Sequence, residues 1–310
     1  MSLNIYYNEA SMKHQLYPLF SEKPTRVAGL LELFSDRKLP ILTSRKATVD
    51  EVEKAHSRKY FEHVKDLSKQ SLFKAFISIT LSPYIQWYTR VSKGSYIASL
   101  YSAGGVCQAV EEILANKATK AFCIARPPGH HAGIEKGEGF CIFNNIAIGA
   151  LHAIKNGAKR VAIIDFDRHH GNGTQEIVEK SNQDILFISS FQDGCKYFNN
   201  QTSTNDNIVS LAIPEHSPFS VVEEMYKNEV IPKLYEFKPD IILISAGFDM
   251  HIDDPLTNIK LESKDFYTLT KMITNVADEI CQGRVVSALE GGYDVKALQE
   301  CVGYHIDAFS

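Results

Sequence analysis

The stretch Ile163-Ile164-Asp165-Phe166-Asp167-Arg168-His169-His170-Gly171-Asn172-Gly173 decides how this chain folds on paper. Its approach, Val161-Ala162-Ile163-Ile164, is a short β-branched apolar run of the kind buried on both faces in a parallel sheet. The run stops abruptly in acids, histidines and glycines. Ligands of open α/β sheets bind beyond the carboxyl ends of the strands, so polar residues gathered there point to chemistry. Asp167 and His169 stand two apart in an extended segment, and their side chains leave on the same side. A carboxylate oxygen and an imidazole nitrogen converging from one face are half of a zinc site. Taken alone, the segment fits a solvated polar loop equally well.

Outward from this point the pattern is regular. Strand-like runs at 121–125, 161–164, 184–190, 208–213, 240–245 and 284–289 have helical stretches between many of them, at 144–155, 174–180, 220–236 and 263–281. A last helix covers 295–308, and Pro232 is expected to kink the fourth segment. Such alternation predicts an α/β fold with a parallel sheet covered on both faces. Before it lie a strand candidate at 3–7, an amphipathic helix from 24 through 34, and a capping-box start at Thr48-Val49-Asp50-Glu51. Helices follow at 59–68 and 95–116, with an aromatic-rich stretch without period at 71–93 taken as a loop. His56 is assigned to packing or capping. No linker, repeat or low-complexity tract divides the 310 residues, so a single domain over 1–310 is expected.

Composition narrows the function classes. The chain is 44% hydrophobic and 23% charged, ordinary for a protein with a sizeable core. A net charge of −4 gives no general attraction to nucleic acid or an anionic membrane. Neither an apolar run long enough to span a bilayer nor a leader pattern is visible, and the expected setting is cytoplasmic. The six cysteines are scattered without a CxxC, as reduced core residues would be.

Four strand ends carry the unusual residues: Arg126-Pro127-Pro128-Gly129-His130-His131, the opening motif, Ser245-Ala246-Gly247-Phe248-Asp249-Met250-His251-Ile252-Asp253-Asp254-Pro255-Leu256, and Glu290-Gly291-Gly292-Tyr293-Asp294. Asp249 is the candidate third ligand beside Asp167 and His169, and three protein ligands with an open position make a catalytic zinc site. A metal-activated water needs a base, and the carbonyl it attacks needs an electrophilic partner. His130 and His131 supply the candidates. Asp165 and Asn172 are natural acceptors for their other ring nitrogens. Tyr293, on a Gly-Gly turn read as free to swing, is placed to donate to a developing oxyanion.

These four motifs, in this order, resemble those of the zinc-dependent histone deacetylase superfamily, which includes acetylpolyamine amidohydrolases and acetoin-utilisation proteins. The class II branch is the most similar. The resemblance implies an arginase/deacetylase fold, a three-layer αβα sandwich with a central eight-stranded parallel sheet. It implies one catalytic Zn2+ held by Asp167, His169 and Asp249, and a structural K+ near Asp165, Asp167, His169 and Ser189. It implies that His130 and His131 pair with Asp165 and Asn172 respectively, that His131 is the base, and that Tyr293 polarises the acyl carbonyl. Gly139 and Phe140 match one wall of an acyl-lysine tunnel and Phe198 the other, and Arg26 matches an arginine near an inner exit channel. Two aromatic walls suit a slender methylene chain.

The implied activity is removal of acetyl or related acyl groups from lysine in a protein or peptide, histones being one class of target, with hydroxamate-type inhibitors expected to bind. Small acetylated amines such as acetylpolyamines are the alternative, although polyamine-selective relatives tend to carry Glu where this chain has Leu256. Arg168 departs from the small or apolar residue usual at its position and must find an unusual partner. Phe191-Gln192 replaces His-Gln, and 82–89 lacks an acidic rim residue. Tyr293 is retained, which argues against a non-catalytic binding module.

Overall fold

The structure is a computed structural model and describes residues 3–15, 20–70, 82–86, 89–194 and 203–310. Its centre is one sheet of eight strands: Leu3–Tyr7 (β1), Ile41–Thr43 (β2), Lys120–Cys123 (β3), Val161–Asp165 (β4), Ile185–Gln192 (β5), Ile208–Ile213 (β6), Ile241–Ala246 (β7) and Val285–Leu289 (β8). They lie in the order β2-β1-β3-β8-β7-β4-β5-β6, and every neighbouring pair is parallel. Strand β2 has no counterpart in the sequence reading. It is short and its side chains are partly or fully exposed, so it lacks the apolar run that marks the central strands.

Alternation along the central strands feeds two cores. Val161 and Ile163 of β4 join Ile241 and Leu243 of β7 and the helices Ser95–Leu114 and Asn145–Lys155 on one face. Ala162 and Ile164 join Ile242 and Ile244 and the helices Pro24–Asp36, Asp265–Ile280 and Val295–Asp307 on the other. Strands buried on both faces are apolar along most of their length for this reason, and each large aliphatic so buried contributes roughly 1.5–3 kcal/mol. The result is the three-layer αβα sandwich with an eight-stranded parallel sheet. The expected helix at 220–236 is instead Phe219–Met225, a π-helical turn Tyr226–Val230, and Ile231–Phe237 with Pro232 in its first turn. The wide turn takes up the missing amide of the proline.

The N-terminal segment is tied to the sheet through a fully buried ion pair. Arg126, just past β3, donates from Nε and Nη2 to the Glu22 carboxylate at 2.7 and 3.0 Å. Its Nη1 reaches the carbonyls of Ser11 and His14, both at 2.6 Å. Arg26 Nη1 stands 3.4 Å from the same acid, and His14 is kept neutral by burial, its pKa pushed down to about 4. Removing one partner of such a pair leaves an uncompensated buried charge. Glu22→Gln is therefore expected to cost about 3–5 kcal/mol, read as a lower urea midpoint; an unchanged midpoint would contradict this assignment.

Candidate metal centre and histidine pair

The four motif-bearing loops leave β3, β8, β7 and β4, which are consecutive in the sheet. Their adjacency brings residues from distant parts of the sequence to one place. Ligand-capable atoms of Asp167, His169 and Asp249 all lie within 4.8 Å of one another. His169 Nδ1 is 3.0 Å from Asp167 Oδ1 and 3.2 Å from Asp249 Oδ2. Backbone amides orient the acids: Gly291 N donates to Asp167 Oδ2 at 2.8 Å and Arg168 N to Asp249 Oδ1 at 2.9 Å. A Cβ on Gly291 would stand 2.5 Å from Asp167 Oδ2 and 2.6 Å from Asp249 Oδ2, so only glycine lets this amide approach.

Asp249 Oδ2 is buried, and the polar side-chain atom beside it is His169 Nδ1 at 3.2 Å. A buried carboxylate oxygen facing a second acid and an imidazole is the donor set of a divalent cation. The same acids raise the pKa of His169 to about 10 against the lowering effect of burial. A field that holds a proton there also attracts a metal ion. Another residue group with metal-ligand spacing, Glu51, Cys107 and His152, is different. There Arg45 covers both Glu51 oxygens at 2.6 and 3.0 Å and reaches Glu111 as well.

Beside the acids, the rings of His130 and His131 lie 3.9 Å apart. His130 Nδ1 contacts Asp165 Oδ2 at 3.0 Å, and His131 Nδ1 contacts Asn172 Oδ1 at 2.7 Å. One partner is a buried carboxylate and the other a neutral amide, and this drives the two rings apart in charge. Burial lowers the His130 pKa, but the Asp165 and Asp167 carboxylates outweigh it and hold it up at about 10. Burial, reinforced by the neighbouring positive rings, pushes His131 well below the usual histidine range. The surroundings thus push the two adjacent rings in opposite directions, a pattern that is common in active sites.

The loop carrying the pair is clamped by residues whose part the sequence did not reveal. Glu290 Oε2 accepts from Gly129 N at 2.6 Å and His130 N at 3.2 Å. His56 Nδ1 donates to Gly133 O while its Nε2 accepts from Asn144 N, both at 2.8 Å. The Tyr293 loop is not free to swing. Arg26 donates to the carbonyls of Glu290 and Gly292, each at 2.5 Å, and its guanidinium lies 5.0 Å from the Tyr293 ring centre. From the other side Asp254 Oδ2 accepts from Tyr293 N at 2.6 Å. For Glu290 and Asp254 the signal was an acid inside a quoted motif; His56 and Arg26 lie outside the motifs, and all four have partners remote in sequence.

Phe140 adopts a positive φ of 66°, directly after Gly139 at 55°. Its ring is 6.0 Å from that of Tyr293 and 6.0 Å from that of Phe20. A left-handed phenylalanine is an uncommon conformation that surrounding structure must impose. Leu256 is half-buried, with its amide on Asp254 Oδ1 at 3.0 Å. Phe198 lies outside the described residues. Arg168 finds its partner in Gln192, donating Nε to Oε1 at 2.9 Å. Phe191 packs on His170, ring centres 4.9 Å apart.

Fold and site together define an α/β protein with a candidate divalent-metal centre and a buried histidine pair at the carboxyl edge of a parallel sheet. A family model described as the histone deacetylase domain matches residues 20–309. The chain is 32% identical to a "Probable deacetylase" of Archaeoglobus fulgidus, over 96% of this chain and 82% of that protein. It is 40% identical to "Type-2 histone deacetylase 2" of Dictyostelium discoideum over 71% of this chain, which spans only 14% of that much longer protein. The crystal structure of the HDA15 HD domain superposes with a TM-score of 0.87 at 27% identity, covering 99% of this chain and 89% of that one. The chain belongs to the histone deacetylase family, and its fold is the arginase/deacetylase fold. That family is generally zinc-dependent, and the donor set of Asp167, His169 and Asp249 fits zinc.

An ion bound at a hundred to a thousand times its dissociation constant stabilises the fold by about 3–4 kcal/mol. A chelator is therefore expected to lower the thermal unfolding midpoint. Asp249→Ala should make that midpoint insensitive to the chelator, and an equal response of both proteins would remove Asp249 from the site.

Proposed function

We propose that the chain is a zinc-dependent amidohydrolase that removes acetyl or related acyl groups from lysine side chains of proteins. The observation that carries this reading is the close pairing of His130 and His131, ring centres 3.9 Å apart, beside three metal-capable donors. Zinc held by Asp167, His169 and Asp249 would polarise the scissile carbonyl and acidify a water at that position. His131, neutral and with Nδ1 on Asn172, takes the proton of the attacking water and passes it to the leaving amine. His130, held charged by Asp165, stabilises negative charge building beside it. Tyr293 keeps its proton, because burial and then the Asp249 and Asp167 charges raise its pKa far above the usual range, and so donates a hydrogen bond to the carbonyl oxygen.

Gly139 and Phe140, with Phe198, would line the passage for the lysine methylenes. A potassium ion near Asp165, Asp167, His169 and Ser189 would support the metal loop from behind. Hydroxamates should bind as metal-chelating acyl mimics. Leu256 gives a distal ammonium no counter-charge, which favours acyl-lysine over acetylpolyamines.

Tyr293→Phe and His131→Ala are each expected to lower turnover of an acetyl-lysine peptide by at least about two orders of magnitude. The peptide should be cleaved faster than acetylspermidine, and chelator should abolish both activities. Near-normal turnover in either variant defeats the mechanism, and faster polyamine cleavage reverses the choice of substrate.

A further inference from the structure

Asn172 has a second contact that the proposed reaction does not yet use. Its Nδ2 donates to Glu138 Oε1 at 2.5 Å, while its Oδ1 faces His131 Nδ1 at 2.7 Å. Glu138 is buried and fixed from its other oxygen. Lys136 Nζ lies 2.5 Å from Oε2, and Gln86 Nε2 donates to the same oxygen. The backbone is pinned as well: Gln86 N donates to Gly137 O at 3.0 Å and Gly137 N to Tyr84 O at 2.7 Å. The carboxylate therefore has little freedom to move away from Asn172.

A primary amide is nearly symmetrical in shape, and by itself Asn172 can present either its oxygen or its NH2 to His131. An ionised carboxylate accepts hydrogen bonds and cannot donate them. Facing Glu138, the amide must turn its NH2 toward the acid and its oxygen toward the ring. An oxygen at Nδ1 requires Nδ1 to carry the proton, which leaves the lone pair on Nε2, the nitrogen a base needs. His130 needs no such device, because its partner Asp165 is already acceptor-only.

We infer that Glu138 is a positioning residue that sets the tautomer of His131 by fixing the orientation of the Asn172 amide. This rests on His131 being the base, as proposed above. It also ties the Gly139–Phe140 wall and the segment around Gln86 to the base, since Glu138 immediately precedes Gly139 and hydrogen bonds run from Gln86 through Glu138 and Asn172 to His131.

The test uses zinc-loaded protein and four variants: Glu138→Met, which cannot accept; Glu138→Gln, which can; Asn172→Asp, which has no amide to orient; and the Asn172→Asp/Glu138→Gln pair. Glu138→Met should lower kcat about 10- to 100-fold, the scale for losing a partner that orients a functional histidine, with little change in KM. Glu138→Gln should recover most of that loss. Asn172→Asp sets two carboxylates against each other, so adding Glu138→Gln to it should raise turnover severalfold instead of lowering it. Nitrogen-15 NMR of histidine-labelled protein should show His131 protonated at Nδ1 in the wild type and a tautomer mixture in Glu138→Met.

Wild-type kcat in Glu138→Met, or an unmixed Nδ1–H signal in that variant, overturns the inference. If Glu138→Met does not fold, the Asn172→Asp pair decides: no gain from Glu138→Gln overturns it. Absence of turnover in the wild type would instead sink the deacetylase reading, while the NMR arm would still judge the inference.

Discussion

Gathering acids in a dry place is the constraint that organises this molecule. Asp165, Asp167, Asp249 and Glu290 sit at or just beyond the ends of β4, β7 and β8, each at most 1% exposed. Carboxylates so close repel one another, and burial deprives them of water. Every feature around them answers that cost. Amides of Gly129, His130, Arg168 and Gly291 point inward, the acids around His130 raise its pKa against the effect of burial, and Asp167 falls below the usual carboxylate range, the field of His130 and His169 outweighing the effect of burial. Where positive neighbours are weaker than burial, the acid responds the other way, and Glu290 rises to about 7. The glycines of the motifs follow from the same cause, since a Cβ at Gly247 would stand 2.2 Å from Asp167 Oδ2.

Much of this was legible in the sequence because it is local. A β-branched run announces a strand buried on both faces, and an Asp-x-His spacing announces two side chains leaving together. The helical layers, the central strands and the four polar strand ends follow from such short-range rules. What was not legible is made by long-range pairing. Glu22 and Arg126 are separated by 104 positions, and Glu290 reaches back 161 positions to Gly129; no periodicity records either. The Gly-Gly before Tyr293 suggested freedom because glycine is permissive alone, whereas Arg26 and Asp254 take that freedom away from outside the motif. The edge strand β2 was missed because strength of pattern tracks burial, and an edge has little.

Departures from the family pattern are absorbed within the fold. Arg168 engages Gln192, which in turn donates to Glu215 at 3.2 Å, so an unusual cation becomes part of the scaffold beside the metal loop. Phe191, in place of a histidine, fills the space against His170 with an aromatic face. Arg168 Nη1 also lies 3.3 Å from His169 Nε2, on the ring edge away from the nitrogen that faces Asp167 and Asp249.

The order of the sheet gives its last strand a central place. β8 is the final strand in the chain, yet it is wedged between β3 and β7 in the middle of the sheet. Through that position it sets the spacing between the strand leading to the histidine pair and the strand leading to Asp249, and it carries Glu290 and Tyr293 just past its own end. The two halves of the centre are therefore held in register by a strand that belongs to neither.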